Sequence, residues 1–257
     1  MIRSALLLVV LAAGCTGSRL LTSRMPVAAV VIDADVSEWE GVLHPVEEEA
    51  FSLGVVNDAD NLYVAFVSHD QQIARQVLVR GMTFWLDPDG GKEKSIGVRF
   101  PVGLLGQGRV AGMQGIERLD QVFDQATSHL EIIEGEQVSR HPALSLPNMG
   151  ASASMEFGTL TLELRIPLKP GAGFAFAPSA DGTIGLGLET TPLDLSALVG
   201  GLDASNGTRM GGGRGGFGAA GGHRELGAAG GRGGQQPGQN MTIPEQLKFW
   251  TDVALAR

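Results

Sequence analysis

Between Leu160 and Ile166 the chain alternates strictly, with Leu160, Leu162, Leu164 and Ile166 apolar and Thr161, Glu163 and Arg165 polar. A strand points successive side chains to opposite faces, so a period of two predicts an extended segment with one buried and one wet face. Ile184, Leu186 and Leu188 repeat the pattern. The stretch Phe249 to Leu255 does so again, with Thr251, Val253 and Leu255 on one face. Such a strand cannot bury its apolar face alone, which points to two packed layers.

The rest of the chain supplies the partners. Phe51 to Val56 and Leu62 to Ser68 are apolar runs joined by Asn57-Asp58-Ala59-Asp60-Asn61, which predicts a hairpin. Met82 to Leu86 and Ser95 to Phe100, joined by Asp87-Pro88-Asp89-Gly90-Gly91-Lys92, predict a second one. Ile73, Val77 and Leu78 are spaced for one face of a short helix, and Ile116, Leu119 and Phe123 for another. Leu130 to Glu134 is a further strand, and 139–150, with Pro142, Pro147 and Gly150, is a surface connection. Many short strands and few helices predict an all-β fold, an antiparallel β-sandwich with one or two short helices.

Arg3, the apolar stretch Leu6 to Ala13 and the small residues Ala12, Ala13 and Gly14 make residues 1–14 an export signal. Eight apolar residues span about 12 Å as a helix, far short of a bilayer core of about 30 Å. The one cysteine of the chain, Cys15, follows directly. Residues 15–26 then form a tether, and the sandwich occupies 27–256, opening on the apolar run Val27 to Ile32. It is interrupted at 210–240, where Gly211 to Gln239 holds 14 glycines in 29 residues. Ordering that much glycine costs more than its few apolar groups return, so the insert is expected to be a disordered loop.

A net charge of −9 argues against nucleic acid as a partner. His44, His69, His129, His141 and His223 have no short metal spacing, and no serine sits in a Gly-x-Ser-x-Gly elbow. Residues 25 to 74 hold ten Asp or Glu and no Lys or Arg. The acids fall in turns or in the run Glu47-Glu48-Glu49, the pattern of a solvated face rather than of a paired catalytic site. Asp33, Asp35 and Glu38 place oxygen ligands close together, loosely as in a calcium loop, although the glycine of an EF-hand loop is missing.

Two resemblances follow. Leu11-Ala12-Ala13-Gly14-Cys15 resembles the lipobox of bacterial lipoproteins, which implies lipid on Cys15 and a place in the cell envelope; Thr16 after it fits sorting to the outer membrane. Ile32-Asp33-Ala34-Asp35-Val36-Ser37-Glu38-Trp39, Asn61-Leu62-Tyr63-Val64, Phe84-Trp85-Leu86-Asp87-Pro88-Asp89-Gly90 and the strand from Leu162 to Pro167 together resemble carbohydrate-binding module family 9 and DOMON-like domains. That resemblance implies a jelly-roll-like sandwich, structural calcium in some members, and a sugar held between two aromatic residues. The matching neighbourhoods here read Leu78-Val79-Arg80-Gly81 and Asn240-Met241-Thr242-Ile243, without an aromatic. Trp85 and Trp250 are the candidates to replace that pair, if they are not simply core.

The expectation is a lipid-anchored, non-catalytic envelope protein, with no cofactor beyond a structural calcium at Asp33, Asp35 and Glu38. It binds glycan or another small ligand through Trp85 and Trp250. The alternatives are an accessory lipoprotein that docks an envelope protein and a haem-binding DOMON-like domain that uses a Met and a His.

Overall fold

The computed structural model describes residues 20–46, 49–104, 119–171, 174, 176–192 and 245–257. The expected export signal at 1–14, Cys15 and the glycine-rich insert lie outside these residues. The chain divides into two units, Met1–Thr191 with Gln246–Arg257, and Pro192–Glu245. The elements of the first are β1 (Leu20–Thr22), a 3₁₀ turn (Val36–Trp39), β2 (Leu43–Val46), β3 (Phe51–Asn57), β4 (Asn61–Ser68), α1 (Gln71–Arg80), β5 (Met82–Asp87), β6 (Ile96–Arg99), α2 (Leu119–Thr127), β7 (His129–Glu134), β8 (Gln137–Pro142), β9 (Gly150–Glu156), β10 (Thr159–Pro167), β11 (Thr183–Thr190) and β12 (Lys248–Ala254).

The strands form two sheets, ordered β1-β12-β11-β5-β6-β7-β8 and β2-β3-β4-β10-β9. Every pairing is antiparallel except that of β1 with β12. This is the all-β sandwich that the period-two pattern predicts, and both hairpins form, β3 with β4 and β5 with β6. The inward face of the seven-stranded sheet carries Phe84, Leu86, Val98, Leu130, Ile184, Leu186 and Leu188. It shares one core with Leu53, Val64, Phe66, Leu160, Leu162 and Leu164 of the five-stranded sheet. Each of these side chains contributes roughly 1.5–3 kcal/mol by leaving water.

The helix α1 closes one end of the core with Ala74, Val77 and Leu78. Asp70 caps it by accepting from the amides of Gln72 and Ile73. Gly81 ends it at φ 78°, where a Cβ would stand 2.5 Å from the Val102 carbonyl oxygen, so only glycine fits.

Three local expectations are corrected. The tether assigned to 15–26 contributes β1, whose residues Leu20, Leu21 and Thr22 pair with Asp252, Val253 and Ala254. Three residues are too few to show a period, and their pairing is tertiary. The apolar run Val27 to Ile32, on which the sandwich is expected to open, follows β1 and contributes no strand. Val27 is fully exposed, while Val30 and Ile32 pack on a second cluster of Trp39, Val56, Tyr63 and Ala65 outside the five-stranded sheet. Finally, the connection assigned to 139–150 begins as β8, an exposed edge strand paired with β7.

Candidate functional site

The outward face of the seven-stranded sheet carries the two candidate tryptophans. Alternation decides this: Phe84 and Leu86 are fully buried in the core, so Trp85 between them points outward and is half-buried. Phe249 joins the core side and meets Phe51 edge-on, ring centroids 5.5 Å apart, so Trp250 also points outward and is half-buried.

The register brings them into one row, Trp250, Gly187, Trp85, Gly97, Ile133 and Val138, crossing β12, β11, β5, β6, β7 and β8. A Cβ on Gly187 would stand 2.5 Å from the Trp250 indole, and one on Gly97 would stand 2.8 Å from that of Trp85. Each indole therefore lies along the sheet over the glycine of the neighbouring strand, with its other face outward. Neither tryptophan belongs to the core, and among the described residues neither pairs with a second aromatic across a cleft.

A parallel row beside them is charged: Lys248, Glu189, Thr83, Arg99, Glu131 and Arg140. Glu189 is buried, with Lys94 Nζ 2.5 Å from Oε2 and Lys248 Nζ 3.8 Å from Oε1. The Trp250 Nε1–H donates to Glu189 Oε1 at 3.2 Å. The Lys94 ammonium also stands over the Trp85 ring, 5.4 Å from its centroid. Glu131 is bracketed in the same way, by Arg99 at 2.8 Å and Arg140 at 2.9 Å. On the other side of the tryptophan row, Asp252 accepts from the Gly91 amide, and Asp87 accepts from the amides of Asp89 and Glu93.

Lys94, Glu189 and Lys248 were not legible as site residues. A signal was present, since the outward positions of β11 read Gly185, Gly187 and Glu189. Glycines on the wet face of a strand leave room for an overlying side chain.

The proposed calcium ligands do not converge. Asp33 Oδ1 accepts from the Asp35 amide at 2.9 Å, Asp35 Oδ1 from the Ser37 amide at 2.9 Å and Glu38 Oε2 from the Val31 amide at 3.1 Å. These carboxylates order the turn, and among the described residues no three His, Cys, Asp or Glu side chains are grouped to hold a metal ion. The turn is held down instead by Glu163, which is wholly buried on the opposite sheet. Its Oε1 accepts from Trp39 Nε1–H at 2.6 Å, and its Oε2 from the amides of Asp33 at 3.0 Å and Ala34 at 2.7 Å. Burial pushes this carboxyl up from its ordinary range, and the three donors offset only part of the cost.

A cleft of about 320 Å³ lies at the rim of the sandwich, with Ile132, Met149 and Phe174 in its wall. An exposed Lys169–Asp60 ion pair stands at its mouth. Among its described lining residues there is a methionine but no histidine, so the Met and His pair of the haem alternative is not brought together there.

No family model matches the sequence, and no curated protein matches it. Among solved structures, the chain is similar to a carbohydrate-binding module of family 9 from Caldicellulosiruptor kristjanssonii in complex with glucose. The identity is 12% and the TM-score 0.36, over 70% of this chain and 81% of that one. The same module in complex with cellotriose gives 11% identity and a TM-score of 0.35, over 70% and 80%.

Proposed function

We propose that this chain is a non-catalytic glycan-binding β-sandwich, held at the cell envelope, in its outer membrane, by lipid on Cys15. The observation that carries the reading is the pair of indoles laid outward over Gly187 and Gly97. Flat apolar faces flanked by polar groups are what pyranose rings stack on. Trp250 and Trp85 stand two strands apart, about 10 Å, and both are displaced towards the neighbouring strand on the same side. That separation is also the rise of one disaccharide in an extended β-1,4-linked chain, so alternate rings of such a chain would each meet an indole.

The test is binding of the full-length protein to a glycan array. Trp85→Ala and Trp250→Ala are each expected to cost about 1–3 kcal/mol of affinity, the scale for losing a large apolar contact. Glycan binding indifferent to both substitutions would overturn the reading. So would turnover of a polysaccharide that stops when one carboxylate is removed.

The rival reading, docking of an envelope protein, is favoured by one observation. Met25, Val27, Val31 and Val36 are exposed along a single segment. It expects a photo-crosslinker at Val27 to capture one discrete envelope protein while the tryptophan variants change nothing.

A further inference from the structure

The outward face of the seven-stranded sheet is rich in donors and poor in free acceptors, and this bears on what kind of glycan it takes. We infer that the ligand is an anionic glycan, whose rings lie on Trp85 and Trp250 and whose acid groups meet Lys94 and Lys248. The inference rests on the platform reading and narrows it.

A neutral sugar is held by its hydroxyls, which need carboxylate or carbonyl acceptors as well as donors. Glu189 is the carboxylate that the charged row places beside the two indoles, and its oxygens are engaged. Oε1 faces Trp250 Nε1 and the Lys248 ammonium, and Oε2 faces the Lys94 ammonium. Asp252 and Asp87, across the tryptophan row, accept from backbone amides of the turn 89–93.

The donors are in the opposite condition. Each ammonium carries three N–H groups, and two of them share one carboxylate. The side chains of Lys94 and Lys248 are 44% and 61% exposed, against 6% for Glu189. The excess repeats along the row, where Glu131 lies between Arg99 and Arg140. Four cations and two carboxylates make this stripe positive in a chain whose net charge is −9. The Lys94 ammonium stands 5.4 Å from the Trp85 ring centroid on its outward side. An acid group drawn to it sets the attached ring beside that indole, and the ring stacks as the ammonium moves aside with the acid group.

The experiment pairs glycans that share a β-1,4 backbone and a chain length and differ in charge: polymannuronate against linear β-1,4-mannan, and the six-residue cellouronate against cellohexaose. Polyuridylate serves as a non-sugar polyanion with stacking bases. Full-length protein is expected to bind the acidic member of at least one pair about tenfold more tightly or better at low salt, the scale of one charge-assisted hydrogen bond. The preference should vanish in Lys94→Gln/Lys248→Gln. It should vanish equally in wild-type protein at about 0.5 M salt, where half-exposed ammonium groups are screened; this second measurement stands even if the lysine variant folds poorly.

Equal, tryptophan-dependent binding of acidic and neutral members would overturn the inference and leave the platform standing. No binding to any of the four polysaccharides, or acid binding that survives Trp85→Ala/Trp250→Ala, would overturn both. Polyuridylate bound more tightly than either uronate would overturn the anionic-glycan assignment in favour of a nucleic-acid ligand.

Discussion

Glu163 shows how much one side chain holds. Its carboxylate satisfies the indole of Trp39 and two amides of the turn at Asp33 and Ala34, more than a hundred residues away in sequence. In Glu163→Gln, if the side-chain oxygen keeps the two amides, the new NH₂ is left facing the Trp39 N–H, donor against donor. The expected cost at neutral pH is about 1–3 kcal/mol, the penalty for an unmet buried group, read as a lower Tm with altered near-ultraviolet signal from Trp39. The pH dependence has a definite sign. Burial raises the folded-state pKa of Glu163, so the native form holds the proton more tightly than the unfolded chain does. Its contribution is therefore fully present below the unfolded pKa and is lost as pH rises through the folded one. The Tm difference between wild type and variant should widen as pH falls from 7 to about 5, and a constant difference would contradict this. The sequence places Glu163 between Leu162 and Leu164 and so on the face opposite the core, which is where it is. What the alternation does not carry is that a distant turn covers that face, because period two reports which residues share a side and not what lies over it.

Among the elements, β11 and β6 serve the indoles by what they lack. Gly187→Ala puts a Cβ 2.5 Å from the Trp250 indole, which must then lift from the sheet. Stability should change little, because the lost packing is offset by the smaller conformational entropy that alanine gives up in a strand. Glycan affinity should fall about tenfold, one large apolar contact being worth that much. Calorimetry and tryptophan emission of the same sample separate the two effects. An unchanged affinity would mean that the flat pose of Trp250 is not what the ligand meets. Trp39 over Gly54 repeats the motif on the other sheet, at 2.6 Å, but there the turn closes over it. Strand identity was legible wherever the period held, in β10, β11 and β12, and turn residues marked both hairpins. Strand order and register were not, since each apolar face fits any other until loop lengths and packing choose. Thus the alternation put Trp85 on the face away from Phe84 and Leu86, while its place in one row with Trp250 is a property of register.

At the scale of the molecule, the proposal assigns residues 1–14, Cys15 and the glycine-rich insert to where the sandwich works, and two variants test it. Cys15→Ser should abolish lipid attachment, so a variant that still partitions fully into detergent would refute the anchor. Replacing Gly211 to Gln239 by a short linker should leave Tm within a few degrees, because loop-closure cost follows only the logarithm of length; a collapse would show that the insert packs. Two layers were foreseeable because every long strand has one apolar face. The part played by residues 20–22 was not, for they pair with strand residues near the other end of the chain.

That last pairing has a consequence in time. Among the described residues, Leu20 to Thr22 have no sheet partner other than Asp252 to Ala254, about 230 residues downstream. At a synthesis rate of roughly 5–20 residues per second the first ordered strand waits on the order of tens of seconds for its partner. Contacts of such long range form slowly even when both ends are present. Until β12 arrives, β11 presents a bare edge of unpaired amides and carbonyls, the feature on which strands of other molecules nucleate. That edge stays bare for the roughly sixty residues between β11 and β12, and the seven-stranded sheet is sealed last.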